Sequence, residues 1–154
     1  MSELTGARQV ILITSKWKEK EDITTIAWHM PTSFTPPLYA ISLGKKRYSN
    51  TLISKSKCFC INFMPFFLKR EIIYCGSVSG KSHNKFQETG LEKVRCDVID
   101  CIRIKQAIGY AECEVIKKID SGDHDIFIGK IVKSELISKD KRLYHIEGDK
   151  FKEI

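Results

Sequence analysis

The stretch AIGYAECEVIKKIDSGDHDIFIGKIVKSEL, residues 107–136, indicates the fold of this chain most directly. Apolar and acidic residues alternate through the first half of this stretch, and such a period of two is typical of a strand with one face in solvent. The residues 121–123, Ser-Gly-Asp, predict a turn, and residues 125–136 predict a returning strand. The stretch therefore predicts a long antiparallel hairpin.

Apolar and β-branched runs outside this hairpin predict further short strands at residues 9–14, 23–30, 38–43, 58–63 and 142–146. The charged residues 16–22 have the composition of a hairpin loop. Brief helices are predicted after Ser49-Asn50-Thr51, which offers N-cap side chains, and over residues 82–89, from an N-cap at Ser82 to a stop at Gly90. About seven short strands without a βαβ rhythm predict a mainly β fold: an antiparallel barrel with short peripheral helices, in a single domain over residues 1–154.

The composition is that of an ordinary globular domain, with 154 residues of which 42% are hydrophobic and 29% charged. No apolar run approaches the roughly 20 residues of a membrane helix, and residues 1–6 lack the apolar stretch of a secretory signal. These features predict a cytoplasmic protein without membrane contact. The six cysteines contain no C-x-x-C pair, and Cys58 and Cys60 would share one face of a strand. Buried free thiols are therefore predicted rather than disulfides or a zinc site.

The formal net charge of +7 favours an anionic partner, whether nucleic acid, an acidic protein or a phosphorylated cofactor. The lysines are spread along the chain, which is also typical of a generally solvated basic surface. The sequence contains no G-x-G-x-x-G after a strand, no Walker loop, no H-E-x-x-H and no G-x-S-x-G. The enzyme classes that depend on those motifs therefore lose their main support.

Two basic side chains are candidates for anion binding. Arg47 precedes Tyr48-Ser49-Asn50-Thr51 at a predicted helix N-terminus, where free N–H groups and the helix dipole favour an anion. A capped surface helix with a solvated Arg47 is the alternative. Lys85 falls in the first turn of the second predicted helix, where a cation is electrostatically disfavoured. Either an anion is held nearby or the Lys85 side chain reaches into water.

Two further segments carry side chains suited to a ligand. Residues 24–28, Thr-Thr-Ile-Ala-Trp, are mostly small or hydroxylated and end at a large aromatic side chain, a shape compatible with a flat ring lying against the backbone. Packing of Trp28 in the core is the alternative. In the turn at residues 121–125, His124 lies between two carboxylates. The other histidines have no recognisable ligand spacing to His124, so no metal site is predicted.

Four strings carry a family resemblance: T-T-I-A-W-H-M-P-T-S-F-T-P-P-L from Thr24, G-K-K-R-Y-S-N-T-L-I from Gly44, S-G-K-S-H-N-K-F from Ser79 and G-D-H-D-I-F-I-G from Gly122. In their order and spacing they resemble motifs of the flavin reductase-like family of FMN-binding split β-barrels, which includes flavoredoxin and ferric or flavin reductases. The resemblance spans most of the chain.

The resemblance implies a bound FMN whose ring lies along residues 24–28 and whose phosphate meets Arg47, Ser49 and Lys85. It also places His124 near the flavin, where it would tune the cofactor. Asp22 departs from the family, which often carries Asn there, and a carboxylate cannot donate to a flavin carbonyl as an amide can. The cofactor-binding residues that the resemblance implies are Thr24, Thr25, Ile26, Ala27, Trp28, Ser42, Arg47, Ser49, Asn50, Thr51, Ser79, Gly80, Lys85 and His124.

The implied function is that of an FMN-dependent oxidoreductase in which NAD(P)H or another donor reduces a small-molecule or protein acceptor through the flavin. A flavoredoxin-type electron carrier without its own nicotinamide site is the alternative within the family. The resemblance also implies a homodimer, and the uncharged residues 63–68 together with an open barrel edge predict a surface that needs cover. A basic barrel that binds nucleic acid is a distant alternative, and no RNA-binding signature string supports it.

Overall fold

A computed structural model describes residues 3–154, and strands dominate it. Seven strands form one antiparallel sheet in the order β3-β2-β6-β9-β10-β5-β4, while β1, β11 and β12 form a second sheet and β7 pairs with β8. This arrangement confirms the predicted mainly β, antiparallel fold with short helices. The strands are β1 (Arg8–Gln9), β2 (Ile11–Trp17), β3 (Lys20–Ile26), β4 (His29–Ser33), β5 (Leu38–Gly44), β6 (Cys58–Phe63), β7 (Lys93–Arg95), β8 (Ile102–Ile104), β9 (Gly109–Ser121), β10 (His124–Leu136), β11 (Leu143–Glu147) and β12 (Lys150–Glu153). The helices are α1 (Tyr48–Ser56), α2 (Lys69–Ser77) and α3 (Lys85–Thr89), with a turn of 3-10 helix at Phe66–Leu68.

β9 and β10 form the long hairpin that the sequence predicts. Asp125 lies opposite Asp120 near the turn, and Leu136 lies opposite Gly109 at the far end. Gly122 turns the chain with a φ of +70°, which glycine adopts without steric strain. The hairpin lies between β6 and β5, so it forms the middle of the large sheet.

The large sheet has a buried cluster on each face and curves around one of them. Ile13 of β2 belongs to a buried cluster that also contains Ile41 of β5 and Phe127 of β10. Because β2 and β5 are near opposite ends of the strand order, their side chains can share a cluster only if the sheet curves. Leu12 of β2 faces the other way, into a second cluster that α2, α3 and β8 cover.

Two predicted strand boundaries are wrong. Residues 16–22 were predicted as a loop, but β2 continues to Trp17 and β3 begins at Lys20, with Lys18 in the left-handed region at φ +54°. The charged side chains of this hairpin lie on an edge of the sheet, where strands keep polar residues. The strand predicted over residues 23–30 is divided, because β3 ends at Ile26 and β4 begins at His29.

The predicted helix starts are also wrong. α1 begins at Tyr48, with Arg47 as its N-cap and no side-chain cap, so Ser49 lies inside the helix. α3 is capped by Asn84, whose side chain accepts a hydrogen bond from Gln87 N at 3.1 Å, and not by Ser82. Gly90 ends α3 at φ +76°, as predicted. α2 and β12 were not predicted, and residues 3–154 contain more strands than the sequence indicates.

All six cysteines are buried and free, which confirms the prediction made for them. Cys58 and Cys60 point from β6 into one cluster, together with Cys96 and Cys101. Within residues 3–154, no helix has the length and apolar character needed to cross a membrane.

Candidate functional site

Two adjoining clefts lie beside β3, and most of the predicted site residues line them. The first cleft has a volume of about 250 Å³ and the second about 200 Å³. Thr24 and Arg47 line both, so the two clefts adjoin. The first is lined by Thr24, Thr25, Ile26, Ala27, Trp28, Ser42, Leu43, Gly44, Arg47, His124 and His145. The second is lined by Asp22, Thr24, Lys46, Arg47, Tyr48, Ser77, Val78, Ser79, Gly80 and Lys85.

The wall of the first cleft is an open strand edge. β3 is the end strand of the large sheet, so one of its edges has no strand neighbour and its outward backbone groups are available for other bonds. Lys85 uses one of them, because its Nζ donates to Ile23 O at 2.5 Å. Thr25 Oγ1 donates to Ile72 O at 2.5 Å and thereby ties the strand to α2. Side-chain hydrogen bonds to α2 and α3 therefore hold this strand in place.

Trp28 and His124 form the aromatic rim of the first cleft. Their ring centroids lie 4.9 Å apart with a tilt of 34°. Trp28 is 53% exposed, which excludes the alternative that its indole packs in the core. His124 Nδ1 lies 2.6 Å from Asp123 Oδ1, and this hydrogen bond lowers the pKa of the Asp123 carboxyl.

The predicted placement of His124 between two carboxylates is half right. Asp125 is buried and faces away from the rim, since successive strand residues point to opposite faces. Its Oδ2 accepts from Asn50 Nδ2 at 2.9 Å and lies 3.6 Å from Lys118 Nζ. His124 therefore has one carboxylate partner, Asp123.

The second cleft is basic and lies at the start of α1. Lys46 and Arg47 come directly before that helix, whose first turn has neither a side-chain cap nor an acidic residue. Asn50 N in this turn already donates to Arg47 O at 3.1 Å, which leaves the N–H groups of Tyr48 and Ser49 to meet an anion. Arg47 Nη1 donates to Gly76 O at 3.0 Å, so the guanidinium is held between α1 and the end of α2.

A buried carboxylate already occupies part of the second cleft. Asp22 Oδ2 accepts a hydrogen bond from Ser49 Oγ at 2.5 Å, and Asp22 Oδ1 lies 3.0 Å from Lys85 Nζ. Lys85 is only 4% exposed, which excludes the alternative that its side chain reaches into water. A Cβ added to Gly80 would lie 2.0 Å from Asp22 Oδ1, so the loop backbone rests directly on the carboxylate.

Asn50 and Thr51 do not line either cleft. Because α1 begins at Tyr48, Asn50 is turned towards Asp125 and Thr51 is exposed on the helix surface. The structure thus brings together the other predicted residues, with Ser49 present through its bond to Asp22 rather than on the cleft wall.

Several lining residues were missed in the sequence. His145 reaches the first cleft because β11 pairs with β1, placing His145 opposite Arg8, and its Nε2 bonds Gly148 O at 2.8 Å. Ser77 and Val78 lie at the end of α2, an element that was not predicted. Lys46 and Tyr48 are the chain neighbours of Arg47, and this proximity to a predicted site residue is the signal in the sequence that could have identified them. Within residues 3–154, no group of three or more His, Cys, Asp or Glu residues could hold a metal ion.

Solved structures with this fold define the class of protein as a split barrel. An FMN-binding protein from Thermus thermophilus superposes with a TM-score of 0.87 at 22% identity, covering 96% of this chain and 86% of its own. A flavoredoxin from Methanosarcina acetivorans gives a TM-score of 0.88 at 20% identity, with 96% and 85% covered. At these identities the likeness establishes the fold, and it confirms the predicted split barrel.

The chain belongs to the flavin reductase-like family. The family model for the flavin reductase like domain matches residues 4–153, almost the whole sequence. An uncharacterized protein of Archaeoglobus fulgidus is 30% identical over 135 residues, which cover 88% of this chain and 70% of that relative. The resemblance seen in the sequence is therefore confirmed.

Proposed function

We propose that this chain binds one FMN across the two clefts and acts as an oxidoreductase that transfers electrons from NAD(P)H or another donor to an acceptor. The observation that carries the proposal is that an open-edged, aromatic-rimmed cleft adjoins a basic cleft at the start of α1, with Thr24 and Arg47 in the walls of both. Membership of the flavin reductase-like family supports the same conclusion.

The first cleft fits a flat heterocycle. The open edge of β3 offers backbone donors and acceptors to the polar edge of a ring, and the side chains at residues 24–27 are small or half-buried. Trp28 and His124 bound the rim, and Ser42 adds a hydroxyl. Such a mixture of apolar walls and a few polar groups is typical of cofactor sites.

The second cleft fits a phosphate group. Arg47 can make paired, charge-assisted bonds to phosphate oxygens, and Lys46 adds positive charge. The uncapped N-terminus of α1 contributes N–H groups and a partial positive charge. The predicted contacts of Ser49 and Lys85 with a phosphate stay predictions, and both side chains already interact with Asp22.

When bound, FMN would supply two-electron redox chemistry through its ring, which can accept hydride and pass electrons on. The role of the protein is to orient the ring along β3, to hold the phosphate and to set the charge near the ring. His124 is positioned for the last role, because Asp123 orients its imidazole at the rim. No side-chain acid or base is required for such a transfer.

Anaerobic reduction tests the proposal. Protein incubated with FMN and freed of excess cofactor is expected to keep a visible flavin band, and NADH or NADPH is expected to bleach it within a stopped-flow experiment. Bleaching by dithionite but by neither nicotinamide would favour the flavoredoxin-type carrier. Protein that retains no flavin band would contradict the proposed function.

A further inference from the structure

The second cleft contains one carboxylate among its cationic side chains. Of the described residues that line it, Lys46, Arg47 and Lys85 are basic and Asp22 alone is acidic. The side chains of Asp22 and Lys85 are 2% and 3% exposed, so water screens their interaction little. The charges of Asp22 and Lys85 therefore interact strongly with each other.

Asp22 holds the groups that would otherwise suit a phosphate. Ser49 donates to Oδ2 at 2.5 Å, and the ammonium of Lys85 lies 3.0 Å from Oδ1. Lys85 is also the first residue of α3, where the helix dipole disfavours a cation. The anion that the sequence leads us to expect near Lys85 is thus supplied by the chain itself.

We propose that Asp22 is an internal anion that competes with a phosphate group for Lys85 and Ser49 and thereby sets how strongly the site prefers FMN to riboflavin. The inference rests on the proposed function, since it concerns the phosphate end of the same ligand. A phosphate in the second cleft finds the positive charge of Lys85 already paired with the negative charge of Asp22. Removing that charge should strengthen the binding of phosphate-bearing ligands and leave riboflavin unaffected.

Asp22→Asn removes the charge, and with it the ion pair to Lys85, while keeping the shape of the side chain. Lys85 Nζ can keep its hydrogen bond to Ile23 O, and an amide oxygen at position 22 can still face the ammonium that lies 3.0 Å from Asp22 Oδ1. The hydroxyl of Ser49 can donate to an amide oxygen or accept from an amide nitrogen. Gly80 rests on the side chain and is not disturbed by an isosteric replacement.

A charge series tests the proposal through fluorescence titrations with FMN and with riboflavin. Asp22→Asn should bind FMN roughly tenfold more tightly than wild type, a change of about 1.4 kcal/mol. The double variant Asp22→Asn, Lys85→Met should return close to wild type, because the net charge of the cleft is restored. Lys85→Met alone should bind FMN more weakly than wild type. The affinity for riboflavin should be the same in all four proteins. If Asp22→Asn binds FMN no more tightly than wild type, the proposal is overturned.

Asp22→Asn leaves the Lys85 ammonium buried without a charged partner, and Lys85→Met does the same to the Asp22 carboxylate, so urea unfolding first establishes that each variant is folded. If Lys85→Met does not fold, the order of the other three proteins decides the outcome. Asp100→Asn is the matched control, since it removes one carboxylate charge at a residue that lines neither cleft, and it should leave FMN affinity unchanged. A tenfold gain in that variant as well would assign the effect to overall charge and overturn the proposal.

Inorganic phosphate separates this inference from the proposed function. The unfolding midpoint is measured in phosphate and in chloride at equal ionic strength, with no flavin present. A larger phosphate-dependent increase for Asp22→Asn than for wild type supports the competing anion, even if neither protein binds FMN and the proposed function fails. Equal increases in the two proteins would overturn it.

Discussion

Arg47 lies where the two clefts meet, and its guanidinium is the most direct candidate for holding a phosphate. A charge-assisted hydrogen bond contributes roughly 1.5–3 kcal/mol. We expect Arg47→Ala to weaken FMN binding by about 10- to 100-fold and to leave riboflavin binding nearly unchanged, as measured by fluorescence titration. Lys45→Ala is the control, because Lys45 pairs with Asp120 and lines neither cleft. If Arg47→Ala lowers the affinity for FMN and for riboflavin equally, Arg47 does not contact the phosphate.

His29 gives the fold a pH dependence. Its Nε2 lies 2.7 Å from Gln9 O and its Nδ1 lies 2.7 Å from the Tyr39 hydroxyl, so a neutral ring that donates to Gln9 and accepts from Tyr39 satisfies both bonds. Burial lowers the pKa of His29, and the nearby charge of Arg8 lowers it further. The unfolded chain takes up this proton near pH 6.5, before the folded chain does. Stability is therefore lost as the pH falls below about 6.5 towards the folded-state pKa.

His29→Gln keeps a donor and an acceptor but does not titrate, so it should reduce the decline of the unfolding free energy between pH 7.5 and 5.5. Urea unfolding at several pH values measures this decline. The exposed His83, which pairs with Glu88, provides the control substitution His83→Gln. If His83→Gln flattened the pH dependence and His29→Gln did not, the account of His29 would be wrong.

At the scale of residues, the sequence identified the first cleft better than the second. Residues 24–28, Ser42 and His124 are local features of strands and turns, and the structure brings them together. Asn50 was misplaced because α1 begins at Tyr48, and each residue of shift rotates a helical side chain by about 100°. His145 depends on the pairing of β1 with β11, which no local pattern indicates.

The central strands were predictable because their apolar residues follow strand periodicity. The turn at Gly122 lies where the sequence predicts it, and β5 and β6 were placed nearly correctly. The solvent-facing side predicted for β9 is found at Glu114 but not at Glu112, which is buried because its carboxylate accepts hydrogen bonds from the backbone N–H groups of residues 97–99. α2 was missed because only Ile72 and Cys75 are buried along it, so its apolar pattern is too short to indicate a helix. Packing of these two side chains against Leu12 and its neighbours stabilises the helix.

The packing of β10 on β6 and β9 leaves no room at Gly129. A Cβ added there would lie 2.7 Å from Phe59 Cζ and 2.8 Å from Cys113 Cβ, both of which are buried. We expect Gly129→Ala to destabilise the fold by about 1–3 kcal/mol in urea unfolding, because a close-packed core must shift to accept it. Ser134→Ala on the exposed part of the same strand should change stability by less than about 0.5 kcal/mol. If Gly129→Ala leaves the free energy of unfolding unchanged, β10 can move away from the core.

The molecule as a whole exposes apolar surface that suits self-association. The sequence predicts that the uncharged residues 63–68 need cover, but Met64 is buried and only Phe67 of this segment is strongly exposed, at 74%. A groove of about 640 Å³ at the end of the β9–β10 hairpin, lined in part by Tyr39, Phe63 and Leu136, adds apolar surface. We therefore expect a homodimer, and sedimentation at micromolar concentration should give about twice the chain mass. A monomer that holds FMN tightly would contradict this expectation.

The central claim is that two adjoining clefts beside β3 hold one FMN, and an equilibrium titration followed by the visible flavin spectrum tests it most directly. The account predicts saturation at one FMN per chain, with a perturbed flavin band and weaker binding of riboflavin, because the phosphate contributes in the basic cleft. Binding of FMN and riboflavin with equal affinity, or no saturable spectral change with either, would contradict it.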